Sequence, residues 1–194
     1  MISMRRIALL DLGGVVFGPP HITNDEESSV RNRLNERYGP ALDLDELPRF
    51  DTFLDTYNEA LGTSSTTEEF FESIYDNRLF NDELIRYLNE RFTVYIASNN
   101  YQANTEYFTK RFKPNEWSSG RFYSYVIGVA KPDPLFFTTI LTSIGASASE
   151  CILIDDKSKN VESANRLGIT GIMHVSNTQT FREIELKKIL EERS

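Results

Sequence analysis

The chain has 194 residues, of which 40% are hydrophobic and 26% are charged, and its formal net charge is −8 at pH 7. This length fits one domain, or one domain with a small inserted module, and the composition is typical of a soluble globular protein. Because a negative surface repels nucleic-acid phosphates and anionic lipids, the charge argues against a nucleic-acid partner and a membrane partner.

Cysteine content and apolar runs indicate where the protein works. Cys151 is the single cysteine, so no intrachain disulfide can form. No segment approaches the ~18 apolar residues that a membrane-spanning helix requires. The apolar run that follows Arg5 and Arg6 ends at Asp11, too early for a signal peptide. We therefore expect a cytoplasmic protein.

The first predicted element is a short strand over residues 7–10. Its continuous apolar run is typical of a strand that is covered on both faces of a parallel sheet, and it ends abruptly at Asp11. The sequence from about residue 21 to residue 79 is instead polar and helical in pattern. Three helices are predicted there: one from Asn24 or Asp25 to Gly39-Pro40, one from Leu44 to Gly62, and one that starts with Thr66 and Glu69 as a capping box.

From about residue 81, predicted helices and strands alternate. The strands cover residues 93–97, 122–127, 151–154 and 169–175, and the helices between and after them include residues 133–144, 161–167 and 180–192. This alternation predicts an α/β protein with a doubly wound parallel sheet. The expected division is a core domain of residues 1–17 and 80–194 and a small helical cap domain of residues 18–79.

Three of the predicted strands end in residues that can do chemistry. In chain order these are Asp11, Ser98-Asn99 and Asp155-Asp156. Ligands of doubly wound sheets bind outside the carboxyl ends of the strands, so we expect these groups to converge on one crevice. Lys131, in the loop before a predicted helix, would join them.

The expected crevice combines carboxylates with groups that bind anions. Three neighbouring carboxylates repel one another unless a cation lies between them, and oxygen ligands with room for water suit Mg²⁺. An ammonium group, a hydroxyl and free backbone N–H groups suit a phosphate. A carboxylate that points at a bound phosphate is a competent nucleophile. The pattern therefore predicts a magnesium-dependent phosphatase.

Four segments resemble the motifs of the haloacid dehalogenase superfamily, in the right order. They are residues 11–16, Ser98-Asn99, residues 128–134 and residues 152–161. The long interval between the first two leaves room for the helical cap of subfamily I, and the shorter one between the second and third leaves no room for a large second cap. The resemblance implies a Rossmann-like core and a hydrolase acting on phosphate monoesters, with a small phosphorylated metabolite, such as a sugar phosphate, as substrate.

The resemblance also implies a role for each motif residue. Asp11 would be the nucleophile, and Lys131 would hold both the phosphate and the Asp11 carboxylate. Mg²⁺ would be held by Asp11, the backbone carbonyl of Gly13, Asp156 directly, and Asp155 directly or through water. The residues expected to contact the substrate are Leu12, Gly13, Ser98, Asn99 and Lys131.

One position departs from the superfamily pattern. Phosphatases of this superfamily usually carry a second Asp as general acid and base where this chain has Gly13, and such a group typically contributes about 10²–10⁴-fold in rate. His21 and Glu26 of the cap are the candidates for a replacement. Two alternatives stay open: a metal-independent 2-haloacid dehalogenase-like hydrolase, against which the Asp155-Asp156 pair argues, and a catalytically silent binding protein.

Overall fold

The computed structural model describes residues 6–18, 25–44, 49–76 and 78–191. One parallel sheet has the strand order β3-β2-β1-β4-β5. Its strands are β1 (Ile7–Leu10), β2 (Thr93–Ser98), β3 (Gly120–Tyr123), β4 (Cys151–Asp155) and β5 (Thr170–Met173). The central strand β1 is therefore flanked by β2 and β4, so that the carboxyl ends of all three lie side by side. The α/β parallel-sheet prediction is confirmed.

Helices connect and follow the strands. In chain order they are α1 (Asp25–Leu42), α2 (Arg49–Leu61), α3 (Thr67–Asp76), α4 (Asp82–Arg91), α5 (Gln102–Phe112), α6 (Ser124–Ile127), α7 (Pro134–Ile144), α8 (Ser158–Arg166) and α9 (Asn177–Glu191). Helices α1 to α3 occupy the interval in which the sequence predicts a cap, and the division into cap and core domains stays a prediction. Within the described ranges, no helix is both long and apolar enough to cross a bilayer.

The two faces of the sheet carry separate hydrophobic cores. Successive residues of a strand point to opposite faces, and in β1 Leu10 packs into one core while Leu9 packs into the other, beside Phe136 and Phe137 of α7. All four side chains are fully buried. Burial on both faces is the physical reason why β1 and β4 are uninterrupted apolar runs.

Two boundaries among α1 to α3 differ from the predictions, and α8 and α9 each begin three residues earlier than predicted. α1 continues through Pro40 to Leu42. Pro40 has no N–H to donate to the carbonyl four residues earlier, but the helix continues past it, and the Asp43 N–H donates to the Gly39 carbonyl at 2.8 Å. α2 begins at Arg49 rather than at Leu44, which lies in a turn, and residues 45–48 are outside the described residues.

The strand predicted at residues 122–127 is shifted and shortened. β3 already starts at Gly120, which pairs with Tyr95 of β2, and the chain turns into α6 directly after Tyr123. Pairing with β2 sets the strand limits here, and the apolar residues after Tyr123 continue as one helical turn. By contrast, the capping box is confirmed, because Glu69 N–H donates to Thr66 Oγ1 and Thr66 N–H donates to Glu69 Oε2.

Candidate active site

A buried ion cluster forms where β1, β2 and β4 end. The Lys131 Nζ lies 3.0 Å from Asp11 Oδ1 and 2.6 Å from Asp155 Oδ2, and it also donates to the Ala97 carbonyl at 2.7 Å. All three charged side chains are buried. Residues far apart in the chain are thus brought into direct contact, in the crevice in which the sequence analysis expects them.

Ser98 and Asn99 lie at the end of β2 beside this cluster. The Asn99 side chain accepts a hydrogen bond from the Lys131 N–H at 2.8 Å and donates one to the Lys131 carbonyl at 2.9 Å. This pair of bonds fixes the backbone that carries the ammonium group. The buried Ser98 hydroxyl lies near Asp11, where it and Lys131 both favour the charged carboxylate.

The two carboxylates after β4 have different surroundings. Asp155 Oδ1 accepts hydrogen bonds from the Lys157 N–H and from Asn160 Nδ2, both at 2.9 Å, and Asp155 Oδ2 accepts from Lys131 and from Asn160. Asp156 Oδ1 is also buried, yet it has no hydrogen-bond partner. Asp155 is therefore already held by protein donors, whereas Asp156 has an oxygen free to bind another group.

Three carboxylates meet at this point with too few cations to balance them. One oxygen each from Asp11, Asp155 and Asp156 lie within 4.8 Å of one another. Burial raises the pKa of Asp11, against the opposing effect of Lys131, and burial together with the charges of Asp11 and Asp155 raises the pKa of Asp156. A divalent cation would relieve this repulsion, and an all-oxygen ligand set suits a hard cation.

The loop after Asp11 is shaped to let Asp156 approach. Gly14 has φ 76°, and a Cβ added there would collide with Asp156 Oδ2. Gly13 differs, because nothing lies within 4 Å of an added Cβ. The close contact with Asp156 leaves room only for glycine at position 14. Position 13, where the second Asp is absent, has room for a side chain.

Of the two predicted substitutes for that Asp, only Glu26 lies within the described residues, and it is not part of the ion cluster. His21 lies outside the described residues. Glu26 lines a cleft on α1 to α3 together with Tyr57 and Glu69, and no residue of the ion cluster lines that cleft. The structure thus does not support Glu26 as a replacement acid.

The sequence analysis missed Asp43, which directly follows α1. Its carbonyl accepts a hydrogen bond from the Ser124 hydroxyl, which in turn accepts one from the Asn100 N–H at 2.9 Å. Burial raises the pKa of Asp43 to about 6, and the charges that act on its carboxyl group are those of Lys157, Asp11, Lys131 and Lys159. No local sequence signal marks Asp43, because an Asp after a helix is usually a turn residue.

The chain is similar to known proteins in sequence. A family model described as haloacid dehalogenase-like hydrolase matches residues 22–168. A chloroplast flavin mononucleotide hydrolase from Arabidopsis thaliana is 32% identical over 76 residues, which cover 39% of this chain and 31% of that protein. A sesquiterpene phosphatase from Aspergillus oryzae is 37% identical over 71 residues, 36% of each protein. The chain thus matches about a third of the length of each of these relatives.

A solved structure with the same fold is a haloacid dehalogenase family enzyme from Bacteroides thetaiotaomicron. It was crystallised as an alanine variant in complex with magnesium and inorganic phosphate, and it superposes with a TM-score of 0.68 over 89% of this chain and 95% of that one. At 20% sequence identity, the similarity establishes a shared fold.

Proposed function

Since the chain belongs to the haloacid dehalogenase-like hydrolase family, we propose that it is a magnesium-dependent phosphatase for a small phosphorylated metabolite. The observation that carries the proposal is the buried Lys131 ammonium between Asp11 and Asp155, beside the unpartnered oxygen of Asp156. This arrangement offers a nucleophile, an anion-binding cation and a cation-binding carboxylate within one crevice.

Asp11 is the nucleophile in the proposed reaction. One of its oxygens attacks the phosphorus atom, an aspartyl phosphate forms, and the bond from phosphorus to the ester oxygen breaks. Water then hydrolyses the aspartyl phosphate to regenerate the carboxylate and release inorganic phosphate. Lys131 stabilises the charge on the phosphoryl oxygens, and Ser98 and the backbone groups of Leu12, Gly13 and Asn99 hold the phosphate.

The carboxylates suit the Mg²⁺ of this proposal in distinct ways. Asp156 would bind the ion directly, because its Oδ1 has no other partner, and Asp11 lies close enough to join it. The Gly13 carbonyl would be a further ligand. Asp155 would act through water and by holding Lys131, since both of its oxygens already accept hydrogen bonds. When bound, Mg²⁺ would neutralise charge on the phosphoryl group.

Asp43 is the proton donor and acceptor that replaces the absent Asp at position 13. Its backbone is tied to α6 through Ser124, next to Asn100 at the end of β2, and its carboxyl group lies within the electrostatic reach of Asp11 and Lys131. A carboxyl group that is still partly protonated near neutral pH suits this task.

We expect hydrolysis of an aryl phosphate to require Mg²⁺ and to stop when a chelator is added. Loss of a residue that only supports a metal ligand typically weakens metal binding by about 10–100-fold. Because Asp156 is proposed to contact the ion itself, Asp156→Asn should weaken Mg²⁺ binding by more than this. Calorimetric titration with Mg²⁺ and initial rates at saturating and limiting Mg²⁺ measure the two effects.

Asp133→Asn is the matched control for this experiment, because Asp133 is exposed and caps α7, a task that Asn also performs. Full activity in chelator would contradict the phosphatase proposal and favour the dehalogenase-like alternative. Binding of Mg²⁺ without turnover of any phosphate ester would instead favour a silent binding protein.

Asp43→Asn should lower kcat/KM for a primary alkyl phosphate by about 10²–10⁴-fold. The loss should be much smaller for an aryl phosphate, whose leaving oxygen needs less protonation. The acid form of Asp43 donates the proton, and its pKa is raised to about 6. The ratio of kcat/KM between the natural protein and Asp43→Asn on the alkyl ester should therefore fall as pH rises above that value. Rates of both proteins on both substrates, from pH 5 to pH 9, measure this.

A second substitution makes this prediction specific. Gly13→Asp, added to Asp43→Asn, should restore part of the lost rate on the alkyl ester, because position 13 has room for a side chain. An equal loss on aryl and alkyl esters, with no change of pH profile, would show that Asp43 is not the proton donor.

A further inference from the structure

A second cavity, of about 130 Å³, lies between α1, α3 and the start of α5. Its polar lining includes Arg31 of α1, Arg78 after α3, and Tyr101 and Asn104 at the beginning of α5, and its apolar lining includes Phe53 and Phe70. The cavity is larger than the ~30 Å³ that one water occupies in the liquid. It therefore has room for a small polar group.

The two arginines of this cavity are poorly compensated. Arg31 is only 5% exposed, and Glu27 accepts one of its hydrogen bonds at 2.7 Å, yet its Nε has no partner. The Nε of Arg78 is also buried without a partner, and no ion pair joins Arg78 to any part of the chain that the structure describes. Burial lowers the pKa of Arg78, and the charge of Arg31 adds to this effect. Among the residues that the structure describes, these two cations face the cavity, and Glu27 is the carboxylate that pairs with Arg31.

Such a cavity suits an anion. Guanidinium groups bind carboxylates and phosphates through paired, charge-assisted hydrogen bonds. Aromatic walls exclude water and so strengthen each of these bonds. The Arg31 guanidinium also lies over the Phe70 ring, at 5.5 Å from its centroid, but the Nε donors of both arginines stay buried without a hydrogen-bond partner, which carries a desolvation penalty.

A short chain segment links residues that line the cavity to the end of β2, where Ser98 and Asn99 lie. Tyr101 and Asn104, which line the cavity, both donate to the Asn100 side chain, at 2.9 Å and 2.7 Å. Asn100 follows Asn99 and Ser98, the predicted phosphate-binding residues at the end of β2. The carboxyl group of Asp43 also acts electrostatically on Tyr101, so the segment that follows β2 contributes to both sites.

We propose that the cavity between Arg31 and Arg78 binds a second acidic group of the substrate, a carboxylate or a further phosphate. The substrate would then be a phosphate monoester that carries two anionic ends, one at Asp11 and one between the arginines. This inference rests on the proposed phosphatase function for the end at Asp11.

Kinetics with matched substrates test the proposal. One series consists of phosphorylated hydroxycarboxylic acids of increasing chain length, a second of alkanediol bisphosphates, and a third of alkyl phosphates of equal length. At the best chain length, Arg78→Met should raise KM for a doubly anionic substrate by about tenfold or more, the effect of losing one charge-assisted hydrogen bond. It should leave KM for the alkyl phosphate unchanged. Preference between the first two series identifies the acidic group.

Two controls separate binding from a structural role. Arg86→Met removes an exposed arginine of α4 and should change neither KM. Ligand-free Arg78→Met should be at least as stable as the natural protein, because it removes an uncompensated cation. If Arg78 were instead a structural residue, Arg78→Met would lower the Tm. A lower Tm together with equal KM changes for the doubly anionic substrate and the alkyl phosphate would overturn the proposal.

A binding measurement keeps the inference separate from the proposed function. A dicarboxylate such as malonate should raise the Tm of the natural protein without Mg²⁺, and Arg78→Met should abolish this shift. If every ester is inert but the malonate shift is present and depends on Arg78, the phosphatase proposal fails and the anion site stands. If the natural protein and Arg78→Met show the same Tm shift with malonate and the same KM for the doubly anionic esters, the anion site is refuted.

Discussion

Asp11→Asn should reduce the hydrolysis of every phosphate ester by about 10⁴-fold or more, as expected when a nucleophile is removed. An amide has nearly the shape of the carboxylate, but its oxygen is a poor nucleophile at phosphorus. The fold should persist, because the substitution removes one of three mutually repelling carboxylates and leaves Lys131 paired with Asp155 and the Ala97 carbonyl. Rates on an aryl phosphate, whose leaving group needs little help, isolate the nucleophilic step.

Asp82→Asn is the matched control for Asp11→Asn. Asp82→Asn makes the same chemical change at an exposed carboxylate, which pairs with Arg86 on α4 and has no contact with the ion cluster. It should leave the rate unchanged. If Asp11→Asn retained more than a small fraction of the natural rate at unchanged Mg²⁺ affinity, the aspartyl-phosphate route would be wrong.

Lys131→Met should lower the free energy of unfolding by about 3–5 kcal/mol in the absence of Mg²⁺, the range found when one partner of a buried ion pair is removed. Lys131 is 4% exposed, and its ammonium group pairs with Asp11 and Asp155 at once. Without it, two buried carboxylates face each other uncompensated. Urea titrations of the natural and variant proteins measure the difference.

The pH dependence of this loss has a definite sign. Burial already raises the pKa of Asp11 in the folded protein, and removal of the opposing Lys131 raises it further. A carboxyl group with a raised folded pKa destabilises the fold when ionised, so the penalty grows as pH rises above the unfolded pKa and is relieved as pH falls below it. The stability gap between the natural protein and Lys131→Met should therefore narrow toward pH 4.

Lys159→Met serves as the control, since it removes an exposed ammonium group from α8, and it should change stability little. Lys131→Met combined with Asp11→Asn should recover part of the loss, because the pair is coupled. Equal unfolding midpoints for Lys131→Met and the natural protein would contradict the stabilising role of the ion cluster.

Features that depend on a few neighbouring residues could be predicted from the sequence. The buried strands at residues 7–10 and 151–154 follow from apolar runs that only a sheet covered on both faces explains. The capping box of Thr66 and Glu69 follows from their spacing, because the side chain of each residue accepts a hydrogen bond from the backbone N–H of the other. The position of Asp11, Ser98 and Asp155 at strand ends follows in the same way, and parallel strands bring such ends to one edge.

Contacts between distant segments were decided by the tertiary structure. The sequence places Lys131 in a loop, but only packing of that loop against β2 and β4 sets its ammonium group between Asp11 and Asp155. Pairing with β2 likewise set the limits of β3.

Helices α1 to α3 show the same division. The polar helical pattern predicted these helices, but the electrostatic effect of Asp11 on Asp43, and the meeting of Arg31 with Arg78 at one cavity, depend on how the helices pack on α5 and α6. The sequence by itself determined the buried strands and their polar ends, because apolar runs and the residues that end them are local features of the chain. Tertiary structure alone decided which charges face each other, because Coulomb interactions and burial depend on distances in space, which sequence spacing does not define.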